Sequence, residues 1–352
     1  MDEIADNSID LIVTSPPYPM IEMWDEIFSK QNSLIGEALG SDNGNIAFEL
    51  MHQELDKIWK EVYRVLKVGG FACINIGDAT RTINKNFTLY CNHSRILQNC
   101  LQLGFNALPQ ILWRKQTNAP NKFMGSGMLP AGAYVTLEHE YILVLRKGKK
   151  RIFASKEEKL SRQRSAFFWE ERNVWFSDIW ENLKGTKQND IDKSIRERSG
   201  AYPFELPYRI INMLSLKDDV VLDPFLGTGT TTVAAIVTGR NSIGIEIDPN
   251  FKRSLFVRFQ KSIDLADELL RNRVKSHLDF VQQRFKTKGE LGYNSRIYGF
   301  PVMTNQEVEI QFSELAKVKV NGNKIIAEYK QNPTCFFDER PPHIKPSLLN
   351  YR

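Results

Sequence analysis

Residues 220–231 read VVLDPFLGTGTT, and this stretch decides the fold. The apolar run that opens it predicts a buried β-strand, and its two glycines predict a tight turn before a helix. Gly227 and Gly229 let the backbone approach a ligand closely. No Gly-Lys-Ser/Thr follows, as it would in the phosphate loop of NTPases, and the spacing differs from the three-glycine dinucleotide fingerprint. The stretch indicates a single nucleoside-like ligand without a pyrophosphate, or otherwise close packing of a strand on a helix.

A carboxylate follows on the next predicted strand. Strand 242–246 ends in Glu246, nineteen residues beyond Gly227. An acidic residue at about that distance is placed to accept hydrogen bonds from ribose hydroxyls. The glycine turn and Glu246 together are therefore a stronger indication of a nucleoside site than either feature alone.

Strands and helices alternate along most of the chain. The predicted strands are 9–14, 71–76, 106–113, 140–145, 220–223 and 242–246. The predicted helices are 48–66, 96–103, 208–214, 230–238 and 250–273, and Gly69 and Gly70 are expected to end the first of them. This alternation predicts an α/β fold with a mostly parallel sheet and flanking helices. Near the end, Asn321-Gly322-Asn323 between two apolar runs predicts a β-hairpin.

A second motif, Ser15-Pro16-Pro17-Tyr18, follows the first predicted strand. Two consecutive prolines cannot continue a ladder, so the chain turns away rigidly at the carboxyl end of that strand. Open α/β sheets bind their ligands at such ends. A hydroxyl and a free carbonyl can accept hydrogen bonds from the amino group of a planar base, and an aromatic ring beside them can stack on that base. The alternative is a proline-rich turn after a core strand.

Charge is unevenly placed along the 352 residues. Net charges of −6 in residues 1–113 and −3 in residues 201–250 alternate with +7 in each of the segments 114–200 and 251–352. The basic residues are densest between Arg146 and Arg164. This asymmetry predicts a polyanionic partner, with nucleic acid as the first candidate, and we expect the dense stretch to contact phosphates together with Arg114 and Lys115.

Several classes of protein are not indicated. No run of 18 apolar residues predicts a membrane span, and the acidic start is unlike a secretory signal, so we expect a cytoplasmic protein. The cysteines lack paired or metal-type spacing, so neither disulfides nor a metal site are expected. They are Cys73, Cys91, Cys100 and Cys335.

Together the two motifs resemble those of the exocyclic-amino DNA methyltransferases. Asp-Pro-Phe-x-Gly-x-Gly-Thr-Thr from Asp223, followed by Gly-x-Glu ending at Glu246, resembles their S-adenosylmethionine loop. Thr14-Ser15-Pro16-Pro17-Tyr18 resembles their catalytic motif, and it precedes the cofactor motif, which is the permuted order of the β class. The resemblance covers about residues 4–255. It implies a Rossmann-like, mostly parallel methyltransferase sheet with S-adenosylmethionine as the cofactor.

The resemblance also implies how the chain is divided. Residues 1–114 would form the catalytic half of the methyltransferase domain, and 198–262 the cofactor-binding half. Residues 115–197 stand where the family has a target-recognition region that binds DNA, and 263–352 would be a small α+β C-terminal extension. We expect double-stranded DNA as the substrate and a monomer or a homodimer.

Family members transfer the methyl group directly to the amino nitrogen, without a covalent enzyme intermediate. By resemblance, the Ser15 hydroxyl and the Pro16 carbonyl accept the two amino hydrogens. Pro17 holds the turn, and Tyr18 stacks on a base that has been flipped out of the duplex. Asp78, at the end of the neighbouring strand, is expected either to line the pocket or to cap a turn. The residues that the resemblance assigns to the cofactor are Asp223, Phe225, Gly227, Gly229, Thr230 and Glu246, together with Tyr202 and Pro203.

Serine at position 15 favours cytosine N4 as the acceptor, because adenine N6 enzymes of the family usually have a carboxylate or carboxamide there. Adenine N6 stays open, and a DNA-binding module without catalysis is a third alternative. Transfer to carbon 5 of cytosine is discounted because no proline precedes any of the cysteines. We expect the modification enzyme of a restriction–modification system, with a cognate restriction endonuclease as its functional partner, at the nucleoid of a bacterial cell.

The chain departs from the family pattern at two places. Residues 198–203 read RSGAYP where the family has His-Pro-Ala-x-Phe-Pro, so only Tyr202 and Pro203 match. Few residues precede Ile9, too few for the strand with Gly-Asp that the family has upstream of the catalytic strand. Either the chain starts late, or another segment completes the sheet.

Overall fold

A computed structural model describes residues 1–115, 124–181, 183 and 202–330. The bounds of the strands in its central sheet are β1 Ile9–Thr14, β2 Leu66–Ile76, β5 Phe105–Ala107, β6 Ile111–Arg114, β9 His139–Lys147, β10 Ile179–Trp180, β11 Val220–Asp223 and β12 Asn241–Gly244. Seven of these eight strands follow one another in the order β10-β6-β9-β2-β1-β11-β12, and β5 also pairs with β9.

The other strands form short antiparallel pairs, and helices cover the sheet. The pairs are β3 Ala79–Ile83 with β4 Asn86–Tyr90, β7 Met124–Gly125 with β8 Ala133–Tyr134, β13 Tyr293–Asn294 with β14 Pro301–Val302, and β15 Leu315–Asn321 with β16 Lys324–Tyr329. The helices are α1 Asp25–Gln31, α2 Ser33–Gly40, α3 Gly44–Val65, α4 Asn92–Gln102, α5 Lys156–Arg164, α6 Trp169–Trp175, α7 Glu205–Leu214, α8 Thr230–Thr238, α9 Phe251–Gln260 and α10 Ser262–Lys288.

The direction of the strands confirms the predicted α/β fold. β1 lies between β2 and β11 and is parallel to both, and β12 is parallel to β11. On the other side, β9 runs antiparallel to β2, β5 and β6. The sheet is therefore mainly parallel around β1, and the carboxyl ends of β2, β1, β11 and β12 share one edge.

Apolar layers cover both faces of the sheet. All six residues of β1 are buried, as is typical of a strand with both faces covered. Leu11 and Val13 face a layer that includes α7 and α8, whereas Ile12 faces a layer built on α3. This alternation follows from the two-residue repeat of a strand. Helix α10 joins the first layer through Ala266.

The prediction that a pair of glycines ends the first long helix is wrong, because the pair lies within β2. Gly69 and Gly70 do not end the helix, because α3 ends at Val65 and the strand begins at the next residue. Gly69 has φ of 88°, in the left-handed region. A Cβ on Gly70 would lie 2.7 Å from the Asp10 carbonyl oxygen. The glycines therefore allow an irregular backbone in β2 and its close approach to β1.

Other boundaries also differ from prediction. The strand expected over 106–113 is two strands, β5 and β6. The single helix expected over 250–273 is two helices that meet at Lys261. The last strand of the sheet ends at Gly244 and not at residue 246. In addition, β9 and β10 come from residues 115–197, so the region expected to recognise DNA also supplies two strands of the main sheet.

β12 forms one outer edge of the sheet. Among the described residues, no strand pairs with its free side. The described segments therefore offer no replacement for the upstream strand that the family pattern places before the catalytic strand.

The basic stretch that begins at Arg146 lies far from the end of β2. Ile76, at the end of β2, pairs with Tyr141, whereas Arg146 pairs with Phe71. Five residue steps along a strand separate these pairs by roughly 17 Å. The stretch from Arg146 to Arg164 leaves the sheet at the edge opposite the catalytic motif. The expectation that this stretch contacts DNA phosphates stays a prediction.

Some predictions fall outside the described residues. These are residues 116–123, 182 and 184–197 of the region expected to recognise DNA, the segment 198–201 before Tyr202, and residues 331–352 of the C-terminal extension, which include Cys335. Cys73 and Cys100 are buried, as expected of cysteines in core elements. Within the part of the chain that the structure describes, no helix combines the length and the apolar character needed to cross a membrane.

We expect Gly70→Ala to lower the free energy of unfolding by about 1–3 kcal/mol, because the added methyl group has no room beside β1. Gly40→Ala is the matched control, since a Cβ there would meet no atom within 4 Å. The control should leave stability unchanged or raise it by a few tenths of a kcal/mol. Urea denaturation measures both variants, and equal stabilities would contradict the close approach.

Candidate active site

The two sequence motifs meet where parallel strands end. β1 ends at Thr14 and β11 ends at Asp223, and the two strands pair directly. The Thr14 hydroxyl donates a buried hydrogen bond of 2.6 Å to Asp223 Oδ1, across 209 positions of sequence. Beyond Thr14, Pro16 is buried and Pro17 is half-buried. The Ser-Pro-Pro-Tyr segment and the segment leading to the glycine turn therefore leave the sheet side by side.

Asp223 is the centre of a buried hydrogen-bond network. Its Oδ1 also accepts from the Phe225 N–H at 3.0 Å. Its Oδ2 accepts from the hydroxyls of Thr231 at 2.6 Å and Tyr202 at 3.3 Å, and these two hydroxyls are bonded to each other. Burial raises the pKa of Asp223, and the hydrogen bonds from Thr14 and Thr231 act against that rise. Asp223 therefore holds the surrounding backbone in place from within.

The glycine turn needs glycine for two different reasons. Gly227 and Gly229 have φ of 51° and 76°, a region that other residues rarely adopt. A Cβ on Gly229 would also lie 2.5 Å from Leu255 Cδ2 of α9. Glu246, just beyond β12, accepts hydrogen bonds from the Gly227 N–H at 2.7 Å and the Asp248 N–H at 2.9 Å. The carboxylate and the turn are thus held together as one unit.

A groove of about 620 Å³ runs along the free edge of β12 and reaches Glu246. Its walls include Gly244, Phe256 of α9 and Ile326 of β16. Ile247, next to Glu246, is 78% exposed. The volume is within the range of small-molecule sites. A carboxylate beside a glycine turn and an exposed isoleucine suits the hydroxyls and the ring of a nucleoside, so the residues present fit an adenosyl cofactor.

The remaining residues expected at the cofactor lie around Asp223. Phe225 follows the strand and packs against the Trp59 ring, with the ring centroids 6.0 Å apart. Thr230 is the first residue of α8 and is buried. Pro203 is buried next to Tyr202. The structure therefore brings both halves of the predicted site together at one edge of the sheet.

The catalytic segment contains a second hydrogen-bond network. The Ser15 hydroxyl donates to Tyr18 Oη at 3.2 Å, and Tyr18 Oη donates to Glu140 Oε2 at 2.8 Å. Asn75 Nδ2 donates to Tyr18 Oη at 2.8 Å and to Glu140 Oε2 at 2.7 Å. Lys115 forms an ion pair with the other carboxylate oxygen of Glu140. Burial, and then the charge of Glu140, raise the pKa of the Tyr18 phenol well above its ordinary value.

Helices α3 and α4 hold the backbone on both sides of this network. Asn92 Nδ2 donates to the carbonyls of Pro19 at 3.1 Å and Gly77 at 3.0 Å. His52 Nε2 lies 3.0 Å from Asn92 Oδ1. Both His52 and Asn92 are fully buried. The pair therefore joins the chain after Tyr18 to the end of β2.

Asp78 has the capping role, one of its two predicted alternatives. Its carboxylate accepts a hydrogen bond from the His93 N–H at 3.1 Å and lies 2.8 Å from His93 Nδ1. His93 is in the first turn of α4, where a carboxylate stabilises the unpaired N–H groups. The Asp78 side chain is thus engaged by the helix.

Sequence reasoning missed Asn75, Glu140 and Lys115 as parts of the site. Asn75 is a buried polar residue within the apolar strand β2, and Glu140 is a buried carboxylate near the start of β9. A polar residue in an otherwise apolar strand is a usable signal, because buried polar groups need partners. Arg114 and Lys115, which we expect at DNA phosphates, form ion pairs with Glu138 and Glu140 respectively.

The model of a family described as DNA methylase matches residues 9–257. The type II methyltransferase M.MthZI of Methanothermobacter thermautotrophicus is 52% identical over 336 residues, which cover 95% of this chain and 93% of the relative. The type II methyltransferase M.MjaI of Methanocaldococcus jannaschii is 53% identical over 263 residues, which cover 72% and 85%.

Solved structures give the same likeness at the level of the fold. TTHA0409 from Thermus thermophilus, in complex with S-adenosyl-L-methionine, aligns with a TM-score of 0.57 at 30% identity and covers 74% of this chain and 90% of that one. The PvuII DNA methyltransferase, which is cytosine-N4-specific, aligns with a TM-score of 0.51 over 76% and 88%. At 18% identity, this second likeness concerns the fold alone.

The buried histidine behind the catalytic segment predicts a dependence of stability on pH. Burial lowers the pKa of His52 from 6.5 to about 4. Between those values the unfolded chain takes up a proton that the folded chain does not. The free energy of unfolding should therefore fall by about 3 kcal/mol as the pH falls from 6.5 to 4.

Denaturation of the wild type and of His52→Gln across this pH range isolates the contribution of that residue. The glutamine can still hydrogen-bond to Asn92 but does not titrate. The free energy of unfolding of the wild type minus that of the variant should therefore fall as the pH falls. Parallel curves would contradict the assignment.

Proposed function

The chain belongs to the DNA methylase family, and from that premise we propose that it methylates N4 of cytosine in double-stranded DNA. Its cofactor is S-adenosylmethionine. The observation that carries the proposal is the Ser15 hydroxyl at the carboxyl end of β1, next to Thr14, which is hydrogen-bonded to Asp223 at the end of β11. A hydroxyl at this position, where a carboxylate or carboxamide would favour adenine, supports cytosine as the base.

The chemistry needs an acceptor nitrogen with an available lone pair. S-adenosylmethionine supplies an electrophilic methyl group, whose bond to sulfur breaks as the new bond to nitrogen forms and the sulfonium becomes a neutral thioether. The Ser15 hydroxyl and the Pro16 carbonyl accept the two amino hydrogens, which favours a pyramidal nitrogen. These acceptors stabilise charge that develops in the transition state, so they accelerate the step and do not merely bind the base.

Tyr18 and Pro17 shape the pocket for the base. The Tyr18 hydroxyl is fixed by Asn75 and Glu140, which leaves its ring to stack on a flipped base. Gly77 gives the ring room, because a Cβ there would lie 3.0 Å from Tyr18 Cε2. Pro17 keeps the turn rigid.

Residues on both sides of Asp223 are assigned to the cofactor. We assign Glu246 to the ribose hydroxyls, since its carboxylate lies at the groove beside the glycine turn. Gly227 and Gly229 permit close approach of the backbone. Asp223 acts through its hydrogen bonds rather than by facing the cofactor. The other residues given to this site are Phe225, Thr230, Tyr202 and Pro203.

The DNA is assigned to residues 115–197, and the exposed turn after β7 supports this. The Ser126 hydroxyl donates to the Leu129 carbonyl at 2.6 Å, and this turn leaves Met128 81% and Leu129 69% exposed. The chain leaves β6 and enters β9 at the edge where Arg114 pairs with His139, which is the catalytic edge, and the turn belongs to the connection between these two strands. Exposed apolar side chains there suit insertion into a distorted duplex. A restriction endonuclease of the same specificity would be the functional partner.

The product identifies the base. DNA from cells that express the protein should contain N4-methylcytosine by nucleoside mass spectrometry, and DNA from cells with the empty vector should not. N6-methyladenine without N4-methylcytosine would overturn the choice of cytosine. Binding of S-adenosylmethionine with no methylated nucleoside would favour the DNA-binding module.

Ser15→Ala should lower kcat by roughly 10²–10³-fold, the usual effect of removing a group that stabilises the transition state. The Kd for S-adenosylmethionine should stay nearly constant, because Ser15 lies outside the glycine turn. Ser33→Ala, an exposed serine at the start of α2, is the control. Single-turnover rates and equilibrium cofactor binding measure the two effects, and equal losses in both would contradict the role of Ser15.

A further inference from the structure

We propose that Ser15, Tyr18 and Glu140 form a proton relay, with the Glu140 carboxylate as the final acceptor of the proton that the methylated amine must lose. This inference rests on the proposed function, because it begins at the atom that Ser15 presents to the amino group. Glu140 would not touch the substrate, so it is a positioning residue and a proton acceptor at the end of a chain.

The hydrogen bonds form a continuous path with one direction. Ser15 Oγ donates to Tyr18 Oη at 3.2 Å, and Tyr18 Oη donates to Glu140 Oε2 at 2.8 Å. Each donor therefore already points away from the site of the base and toward the carboxylate. A proton added at Ser15 Oγ can reach Glu140 without any reorientation of heavy atoms.

The reaction requires a proton to leave. When the nitrogen–carbon bond forms, the positive charge of the sulfonium passes to the amino nitrogen, which then carries one proton too many. That proton goes to Ser15 Oγ, the proton of Ser15 goes to Tyr18 Oη, and the proton of Tyr18 goes to Glu140 Oε2. The net change is a neutral methylated amine and a neutral Glu140, with Ser15 and Tyr18 restored.

Tyr18 passes the proton on without becoming an anion. Burial and the neighbouring carboxylate raise the pKa of its phenol well above the ordinary value. A tyrosinate is therefore too costly as a separate intermediate. Tyr18 must gain a proton from Ser15 as it gives one to Glu140, which the two hydrogen bonds at the same Oη atom allow.

The groups around Glu140 hold it as an acceptor and connect it to water. Asn75 Nδ2 donates to both Tyr18 Oη and Glu140 Oε2, which fixes the distance between them. Lys115 pairs with the other carboxylate oxygen, and its side chain is 44% exposed whereas that of Glu140 is 10% exposed. Among the described residues, Lys115 and Tyr18 are the titratable groups bonded to Glu140. Lys115 therefore lies between the buried carboxylate and solvent. Its ammonium group has no lone pair for the proton, so the proton passes from Glu140 to a water molecule on this side.

The decisive comparison is between Glu140→Gln and Glu138→Gln. The first keeps the size and a carbonyl that accepts from Tyr18, but it removes the basic group. The second changes an exposed carboxylate two residues earlier that pairs with Arg114. Single-turnover methylation rates are measured from pH 5 to 9, together with cofactor affinity, DNA affinity and the fluorescence of 2-aminopurine at the target position.

For Glu140→Gln we expect a loss of about 10²-fold in rate at neutral pH, the usual contribution of a proton acceptor. The rise of the rate with pH on the acidic side should also disappear. Cofactor affinity, DNA affinity and 2-aminopurine fluorescence should stay within about twofold of wild type, and Glu138→Gln should match wild type throughout. An unchanged rate and pH profile for Glu140→Gln would overturn the relay.

Tyr18→Phe tests the same path at its middle. It keeps the ring but breaks the chain between Ser15 and Glu140, so its loss should equal that of Glu140→Gln. The double variant should be no slower than either single variant, because residues of one relay act as a unit. Additive losses would overturn the relay. A wild-type protein that forms no methylated nucleoside would instead refute the proposed function itself.

Discussion

The hydrogen bond between Thr14 and Asp223 is the constraint on which the rest of the site depends. It lies in the dry interior, where a carboxylate without partners would cost several kcal/mol. Its two residues end neighbouring parallel strands, so the same contact that satisfies the carboxylate also aligns the strand ends. The catalytic segment and the glycine turn are therefore placed relative to each other by a bond that neither substrate needs to touch.

The parts of the fold with local signals could be predicted from the sequence. The apolar strands β1 and β11, the prolines after one and the glycines after the other follow from short-range patterns. The position of β9 could not be predicted, because antiparallel pairing with β2 depends on contacts distant in sequence. Glu140 and Lys115 were missed as parts of the site for that reason.

Asp223 and Glu246 both carry a carboxylate, but their surroundings in the site differ. Both were expected to contact the cofactor. Asp223, however, is buried, and each of its oxygens accepts hydrogen bonds from within the protein. Glu246 accepts hydrogen bonds from two backbone N–H groups at the edge of a groove. The sequence shows an acidic residue in both cases, whereas only the structure shows which of the two is buried.

The order of strands in the sheet also has a kinetic consequence. β1 and β11 are neighbours in space, but most of the chain lies between them in sequence. Closing so long a loop carries an entropic cost before any contact repays it, and folds with such distant contacts fold slowly. We expect the glycine turn and the catalytic segment to come together late in folding. A partly folded chain would then leave DNA unmodified, so methylation appears only once the whole domain is complete.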